Sequence, residues 1–222
     1  MDNLIADLHI HSHYSHDSLL SPRKIVQCAK ASGLTCIAIT DHNTIRGGME
    51  VRKYTKDTSL ETIIGTEIRT DCGDIMGLEL SREIQSTGWA DVIQEIRDQG
   101  GVVVFPHPYR DHTNVEEIAG HVDFIECWNA RSTPEQNQLA HDLAGRFSKP
   151  VILGSDAHVA SEIGAVRASI DRPTLRCTKI ITRRYSTEKE IQMSRAVSLA
   201  KQGKWGTLLS SGLAAIGRKF KN

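Results

Sequence analysis

Histidines and carboxylates in this 222-residue chain gather where short apolar runs end. Four islands show the pattern: Asp7-Leu8-His9-Ile10-His11 with Asp17; Thr40-Asp41-His42; Glu67; and His107-Pro108 with Gly154-Ser155-Asp156-Ala157-His158. Each lies at or just past the end of a stretch with strand character. Strands that run the same way release their C-terminal ends on one face, so distant islands of this kind can converge into one site. That placement constrains the fold more than the number of histidines does.

The apolar runs are short and do not alternate. Leu4–Ile10, Thr35–Thr40, Leu60–Ile68, Asp74–Leu80, Val102–Phe105, Val122–Cys127, Val151–Leu153 and Arg167–Ile170 read as strands. Helical segments separate many of them: Pro22–Ala31, which opens on Ser21-Pro22 and stops at Gly33, then Thr44 to about Lys56, Trp89–Gln99 and Thr133–Phe147. Unalternating strands between helices indicate a parallel sheet buried on both faces, and about seven such units suggest a barrel. No glycine fingerprint for a dinucleotide follows the first strand. No linker rich in Pro, Gly or Ser divides the chain, so one domain over residues 1–185 is expected, with a helical tail over 186–222. The tail carries helical spacing in Glu188–Gln202, then Trp205, Leu208-Leu209 and a basic end at Arg218-Lys219-Phe220-Lys221. Such a helix is expected to dock on the barrel or on a second subunit.

Composition narrows the function. Lys plus Arg and Asp plus Glu both total 27, so no strong overall field attracts nucleic acid or an anionic membrane. The start, Met1-Asp2-Asn3-Leu4, is no secretory signal, and no stretch nears 18 uninterrupted apolar residues. The expectation is a soluble, cytoplasmic protein with no membrane insertion; oligomeric state stays open. Five cysteines without a C-x-x-C pair read as free thiols rather than a disulfide framework or zinc ribbon.

The islands have ligand chemistry. His9 and His11 lie two apart at a strand end, so both side chains leave one face and can grip a single ion. His13 and His16 sit deeper in the following loop and read as loop or outer groups. Gly154 lets the backbone turn after Val151-Ile152-Leu153, which puts Asp156 and His158 at the mouth. Asp41-His42 sits similarly, with Asp41 either capping the helix near Thr44 or holding His42. Glu67 ends a strand where an unpaired buried carboxylate is costly, and its two oxygens can bridge two cations. His107 adds an imidazole.

Together DLHIHSHYSHDS, IAITDHNTI, GTEI, FPHPYR and GSDAH resemble the polymerase-and-histidinol-phosphatase (PHP) family of metal-dependent phosphoesterases, over roughly residues 5–170. The resemblance implies an α/β fold, a distorted seven-stranded TIM-like β/α barrel with a three-metal cluster at its C-terminal mouth. Two or three divalent ions (Zn, Mn or Fe) would be its cofactors. His9, His11, Glu67 and Asp156 would hold the first metal. Glu67 would bridge to the second, with His107. Asp17, His42 and His158 would hold the third. Many members add a histidine to the second site, where this chain offers Asp74, a harder ligand suited to manganese.

Clustered ions of this kind lower the pKa of a bridging water and neutralise phosphate oxygens, so hydroxide would attack phosphorus in line with the departing alkoxide. Asp17, His42, Asp156 and His158 would take part in catalysis. Arg46, Arg110 and Arg131 are candidate phosphate contacts, since a guanidinium pairs bidentately with phosphate. The pattern Glu126-x-x-Asn129-x-Arg131 also resembles the family's own, which makes Glu126 and Asn129 mouth residues, either polar groups behind the ligands or substrate contacts, with Asn129 a candidate substrate contact. A small phosphate ester, such as a nucleotide or histidinol phosphate, is the expected substrate. Two alternatives stand beside it: a phosphodiesterase or exonuclease acting on nucleic acid ends, and a non-catalytic metal-binding interaction module.

Overall fold

The computed structural model describes residues 3–204 and 207. The chain opens with β1 (Asn3–Ile10), α1 (Pro22–Ala31), β2 (Cys36–Ile39), α2 (Arg46–Thr55) and β3 (Glu61–Thr70). It continues with β4 (Gly73–Leu78), α3 (Trp89–Arg97), β5 (Val102–Phe105), α4 (Val115–His121) and β6 (Phe124–Asn129). Then come α5 (Pro134–Arg146), β7 (Val151–Gly154), β8 (Val166–Asp171), β9 (Arg176–Arg183) and α6 (Glu188–Lys201).

Local chemistry sets several helix starts. Ser21 accepts from the Lys24 amide with Pro22 at the first turn of α1, where a missing N–H costs nothing. Thr133 with Gln136, and Thr187 with Glu190, form reciprocal capping boxes on α5 and α6.

The strands join in the order β7-β6-β5-β4-β3-β2-β1-β8-β9. The sheet curls until Ala157, just past β7, pairs in parallel with Ile10 of β1, through His11 N to Ala157 O (2.9 Å) and Ala157 N to His9 O (3.3 Å). The other end of the same β1 edge, Asn3–Ala6, pairs antiparallel with β8. The result is a nearly closed barrel of β1–β7 with a β8–β9 hairpin appended, so nine strands replace the expected seven. Leu8, Ala38, Ile63, Met76, Val104 and Ile152 form one buried cluster that fills the barrel.

The sheet is also not wholly parallel, as the apolar pattern had suggested. β4 runs antiparallel to both β3 and β5. Only Asp71 and Cys72 separate β3 from β4, and Thr70 pairs with Gly73 across them. A two-residue link can join only antiparallel strands, because a parallel return needs a crossover of a dozen residues or more. The reversal has a consequence for chemistry. The start of β4, with Asp74, lies at the same mouth as the C-terminal ends of β1, β2, β3, β5, β6 and β7. No helix among the described residues is long and apolar enough to cross a membrane.

All five cysteines are free. Burial pushes the Cys36 and Cys127 thiols up to about 12, which leaves them unreactive near neutral pH.

A candidate metal centre at the barrel mouth

The β1 end brings His9 and His11 together, with both rings fully buried. Their Nε2 atoms face each other at 3.1 Å. Each ring's other nitrogen has a partner that fixes its tautomer. Glu126 Oε1 lies 3.0 Å from His9 Nδ1, and an ionised carboxylate can only accept, so Nδ1 carries the proton. Ser15 Oγ donates to Asp41 Oδ1 (2.8 Å) and therefore accepts from His11 Nδ1 (3.0 Å). With both rings neutral, two imidazole lone pairs are thus aimed at one point, an arrangement that a cation, whether proton or metal, relieves.

Two carboxylate oxygens complete the group. His9 Nε2 is 3.4 Å from Glu67 Oε2 and 3.6 Å from Asp156 Oδ1; His11 Nε2 is 3.4 and 3.1 Å from the same atoms. Four donors set tetrahedrally at 2.0–2.1 Å from an ion stand about 3.3–3.4 Å apart, so these spacings match a metal's demand. Glu67 Oε2 and Asp156 Oδ1 are buried with no hydrogen-bond partner, as are Asp17 Oδ1 and His158 Nε2. Orphaned buried acceptors of this kind are costly unless something positive satisfies them.

Electrostatics points the same way. Burial opposes charge on His9, yet Glu126, Asp156 and Glu67 outweigh it and hold the imidazole well above its usual pKa. Burial likewise opposes ionisation of Asp156 and Glu67, but Arg110 and His9 around the first, and His9 and His107 around the second, hold both well below the carboxylate range. His11 is driven well below its usual value by burial and then by His158 and His42. The cluster attracts positive charge into its centre.

Two further donor groups flank this one. Glu67 Oε1 lies 2.7 Å from His107 Nε2, and Asp74 offers an oxygen within 4.8 Å of both. Asp74 also pairs with Arg69 Nη1 at 3.2 Å. Burial and the neighbouring Glu67 raise its pKa. On the other side Asp17 Oδ2 stands 2.9 Å from His158 Nε2 and 3.6 Å from His42 Nε2, while His42 Nδ1 is 3.3 Å from Glu67 Oε2. His158 Nδ1 lies 2.7 Å from the Asp156 carbonyl, which accepts its proton and frees Nε2. His107 (φ 29°) and Asp156 (φ 52°) both hold left-handed backbone conformations, a strain that tends to gather at functional sites.

All nine expected ligand residues therefore meet at one mouth. The expected phosphate contacts divide. Arg110 lines a cavity of about 430 Å³ beside Asp17, His42, Asp156 and His158, with Nη2 on Asp156 Oδ2 at 2.7 Å. Arg46 is not among the residues lining that cavity; it is exposed and stacked over the Tyr14 ring at 4.8 Å. Arg131 reaches the cavity, with three of its N–H donors on Glu162 (3.0 and 3.2 Å) and Ser194 (2.9 Å). Asn129 is fully buried, donating to Glu126 Oε2 and accepting from Arg110 and the Arg131 amide, so it braces the mouth rather than facing a ligand.

The supporting residues were less visible in the sequence. Asp41 neither caps α2 nor touches the His42 ring; its two oxygens bind Ser12 and Ser15, and Ser15 Oγ accepts from the His42 amide. Glu162 accepts from the amides of His158 and Val159 and so shapes the last ligand turn. His112, whose Nε2 lies 2.8 Å from the Asp74 amide, is pushed by burial and then His107 to about 4, so it is neutral near pH 7. Ile191, Ser194, Arg195 and Ser198 of α6 wall the cavity. Only the helical spacing of the tail hinted at them.

The chain is similar to several known proteins. An uncharacterised protein of Methanocaldococcus jannaschii is 44% identical over 115 residues, covering 47% of this chain and 67% of its own length. A 5'-3' exoribonuclease of Haemophilus influenzae is 43% identical over 65 residues, 29% of this chain and 23% of that protein. Among solved structures, a two-domain protein of Bacteroides vulgatus containing a predicted PHP-like metal-dependent phosphoesterase superposes with a TM-score of 0.64 at 21% identity. It covers 87% of this chain and 69% of that one, a likeness of fold. The PHP domain family model matches residues 7–172, from the aspartate before the first histidine pair to the strand beyond the last ligand turn, and the chain belongs to that family.

Proposed function

We propose that the protein is a metal-dependent phosphoesterase that hydrolyses a small phosphate ester. One observation carries the reading: His9 Nε2 and His11 Nε2 stand 3.1 Å apart, each lies 3.1–3.6 Å from Glu67 Oε2 and Asp156 Oδ1, and Asp156 lines a small polar cavity. In this reading they hold a first ion, Glu67, His107 and Asp74 a second, and Asp17, His42 and His158 a third. Divalent ions bound there would lower the pKa of water and screen phosphate oxygens as charge develops.

The chain's own groups do the rest. Glu126 and Ser15 keep the two imidazoles in the tautomer that presents Nε2. Arg110 sets the orientation of Asp156 and adds positive charge to the cavity wall. Arg195 lines the same cavity and has no hydrogen-bond or ion-pair partner among the described residues, so its guanidinium can pair with a phosphate or with another anionic group of the substrate.

A volume of about 430 Å³ lies in the range of small-ligand pockets. Arg69, Arg110 and Arg131 are each paired with an acid, which leaves few cations to track a polymer backbone. Those two facts favour a small ester over nucleic acid. The test is a panel of phosphorylated metabolites assayed for release of inorganic phosphate, beside a labelled oligonucleotide assayed for shortening, with metal content measured on the same preparation. Turnover of a small monoester that vanishes in folded H9A is expected. Turnover unchanged in H9A, or oligonucleotide shortening without monoester turnover, overturns the reading.

A further inference from the structure

The loop between β1 and α1 carries Asp17, and one cation from the far end of the chain holds it. Lys201, at the last position of α6, donates from Nζ to the carbonyls of His13 (2.8 Å), Ser15 (2.7 Å) and Ser18 (2.7 Å). An ammonium has three N–H donors, and here all three are used on one loop. Charge-assisted bonds of this length are about twice as strong as neutral ones.

The grip falls on either side of Asp17. Ser15 and Ser18 flank it in sequence, and Asp17 Oδ2 sits 2.9 Å from His158 Nε2 and 3.6 Å from His42 Nε2. Other bonds tie the same loop to the barrel: Ser18 Oγ donates to the His11 and His158 carbonyls (3.1 and 3.0 Å), and Ser15 Oγ donates to Asp41. Lys201 adds a hold from α6. Its helix is itself anchored, by Glu190 to Arg184 and Ser161 and by Ser194 to Arg131. The loop is thus clamped between the barrel and α6.

We propose that Lys201 is a positioning residue of the metal centre: by gathering three carbonyls it holds the Asp17 carboxylate where His42 and His158 can share an ion with it. This rests on the reading of Asp17, His42 and His158 as the third site. It makes α6 a working part of the centre, although that helix lies outside residues 7–172 matched by the family model.

Metal stoichiometry and affinity test it, using the full chain loaded with Mn or Zn and desalted. K201M keeps the side chain's length without its charge. It is expected to lose one ion per chain, or to bind the weakest ion at least tenfold less tightly, while melting in chelator within a few degrees of the parent. K201A should recover that ion when propylammonium is added, a rescue that a purely structural lysine would not show. D17N separates the two ideas. If D17N loses the ion and K201M keeps it with affinity unchanged within twofold, the positioning role is wrong. If D17N itself binds as many ions as the parent, the third-site reading fails first.

Discussion

Gly154 shows how little room the centre leaves at the residue scale. A Cβ there would stand 2.3 Å from His9 Cβ and 2.5 Å from Glu126 Oε1, pressing on a ligand and on the carboxylate that orients it. G154A should therefore cost about 1–3 kcal/mol in stability and strip the first metal with the activity. Gly145 in α5 makes a control, because a Cβ there meets nothing within 4 Å. G145A should stabilise the protein by about 0.5–1 kcal/mol and leave metal content alone. A G154A protein with full metal content would show that the backbone yields more than these contacts allow. Glu126 has a gentler test. E126Q keeps the shape but removes the charge on His9 Nδ1, so metal affinity should fall 10–100-fold, as for other partners that orient ligating histidines. A titration with a competing chelator reads that difference directly.

At the scale of elements, α6 stays docked through Glu190. Burial opposes its ionisation, but Arg184, Ser161 and Thr187 outweigh it and lower its pKa to about 2, against an ordinary 4.5. A depressed carboxylate stabilises the fold fully above its unfolded pKa and loses that contribution as pH falls through the folded one. Melting temperatures of the parent and E190Q should differ by a few degrees at pH 7, and the gap should close between about pH 4.5 and 2. A gap that stays constant over that window would rule out the ion pair as its source.

The elements also differ in how plainly the sequence announces them. β1, β2, β3, β5, β6 and β7 are legible because burial on both faces makes them short, unbroken apolar runs, with ligands at their ends. β4 is legible as a strand, while its direction depends on the two-residue turn at Asp71-Cys72, a clue that apolar patterning alone does not weigh. β9 is exposed along most of its length and mixes Lys, Thr and Ile, so no periodicity marks it. α4 has only seven residues, and its start signal, Asn114 with Glu116 and Glu117 in the first turn, is not used in the usual way, because Asn114 adopts a left-handed conformation without a capping bond. Lys201 and Glu162 act through contacts that span 183 or more and 24 or more positions respectively, bar the local turn Glu162 caps, and local sequence holds no trace of such pairs.

For the whole molecule, the ligands do more than hold ions. His9, Glu67, His107 and Asp156 belong to β1, β3 and the exits of β5 and β7, so ions bound among them would tie together strands from all around the barrel mouth. Without ions, carboxylates held far below their usual pKa crowd buried imidazoles, and the orphaned oxygens of Glu67 and Asp156 have no proton donor. Binding to the folded chain alone stabilises it by about 2.7 kcal/mol when free metal is 100 times the dissociation constant. In a domain of this size that is roughly 5–10 °C in Tm. Chelation should lower the melting temperature by about that much and abolish hydrolysis, and reloading with Mn or Zn should restore both. H9A should melt near the chelated parent and respond weakly to added metal. Hydrogen exchange adds the location: amides at His42, His107 and Asp156 should lose protection on chelation, while Ile63 and Val104, deep in the barrel, should keep theirs. Uniform loss over all of these positions would mean that the ions stabilise the barrel as one cooperative unit rather than closing its mouth.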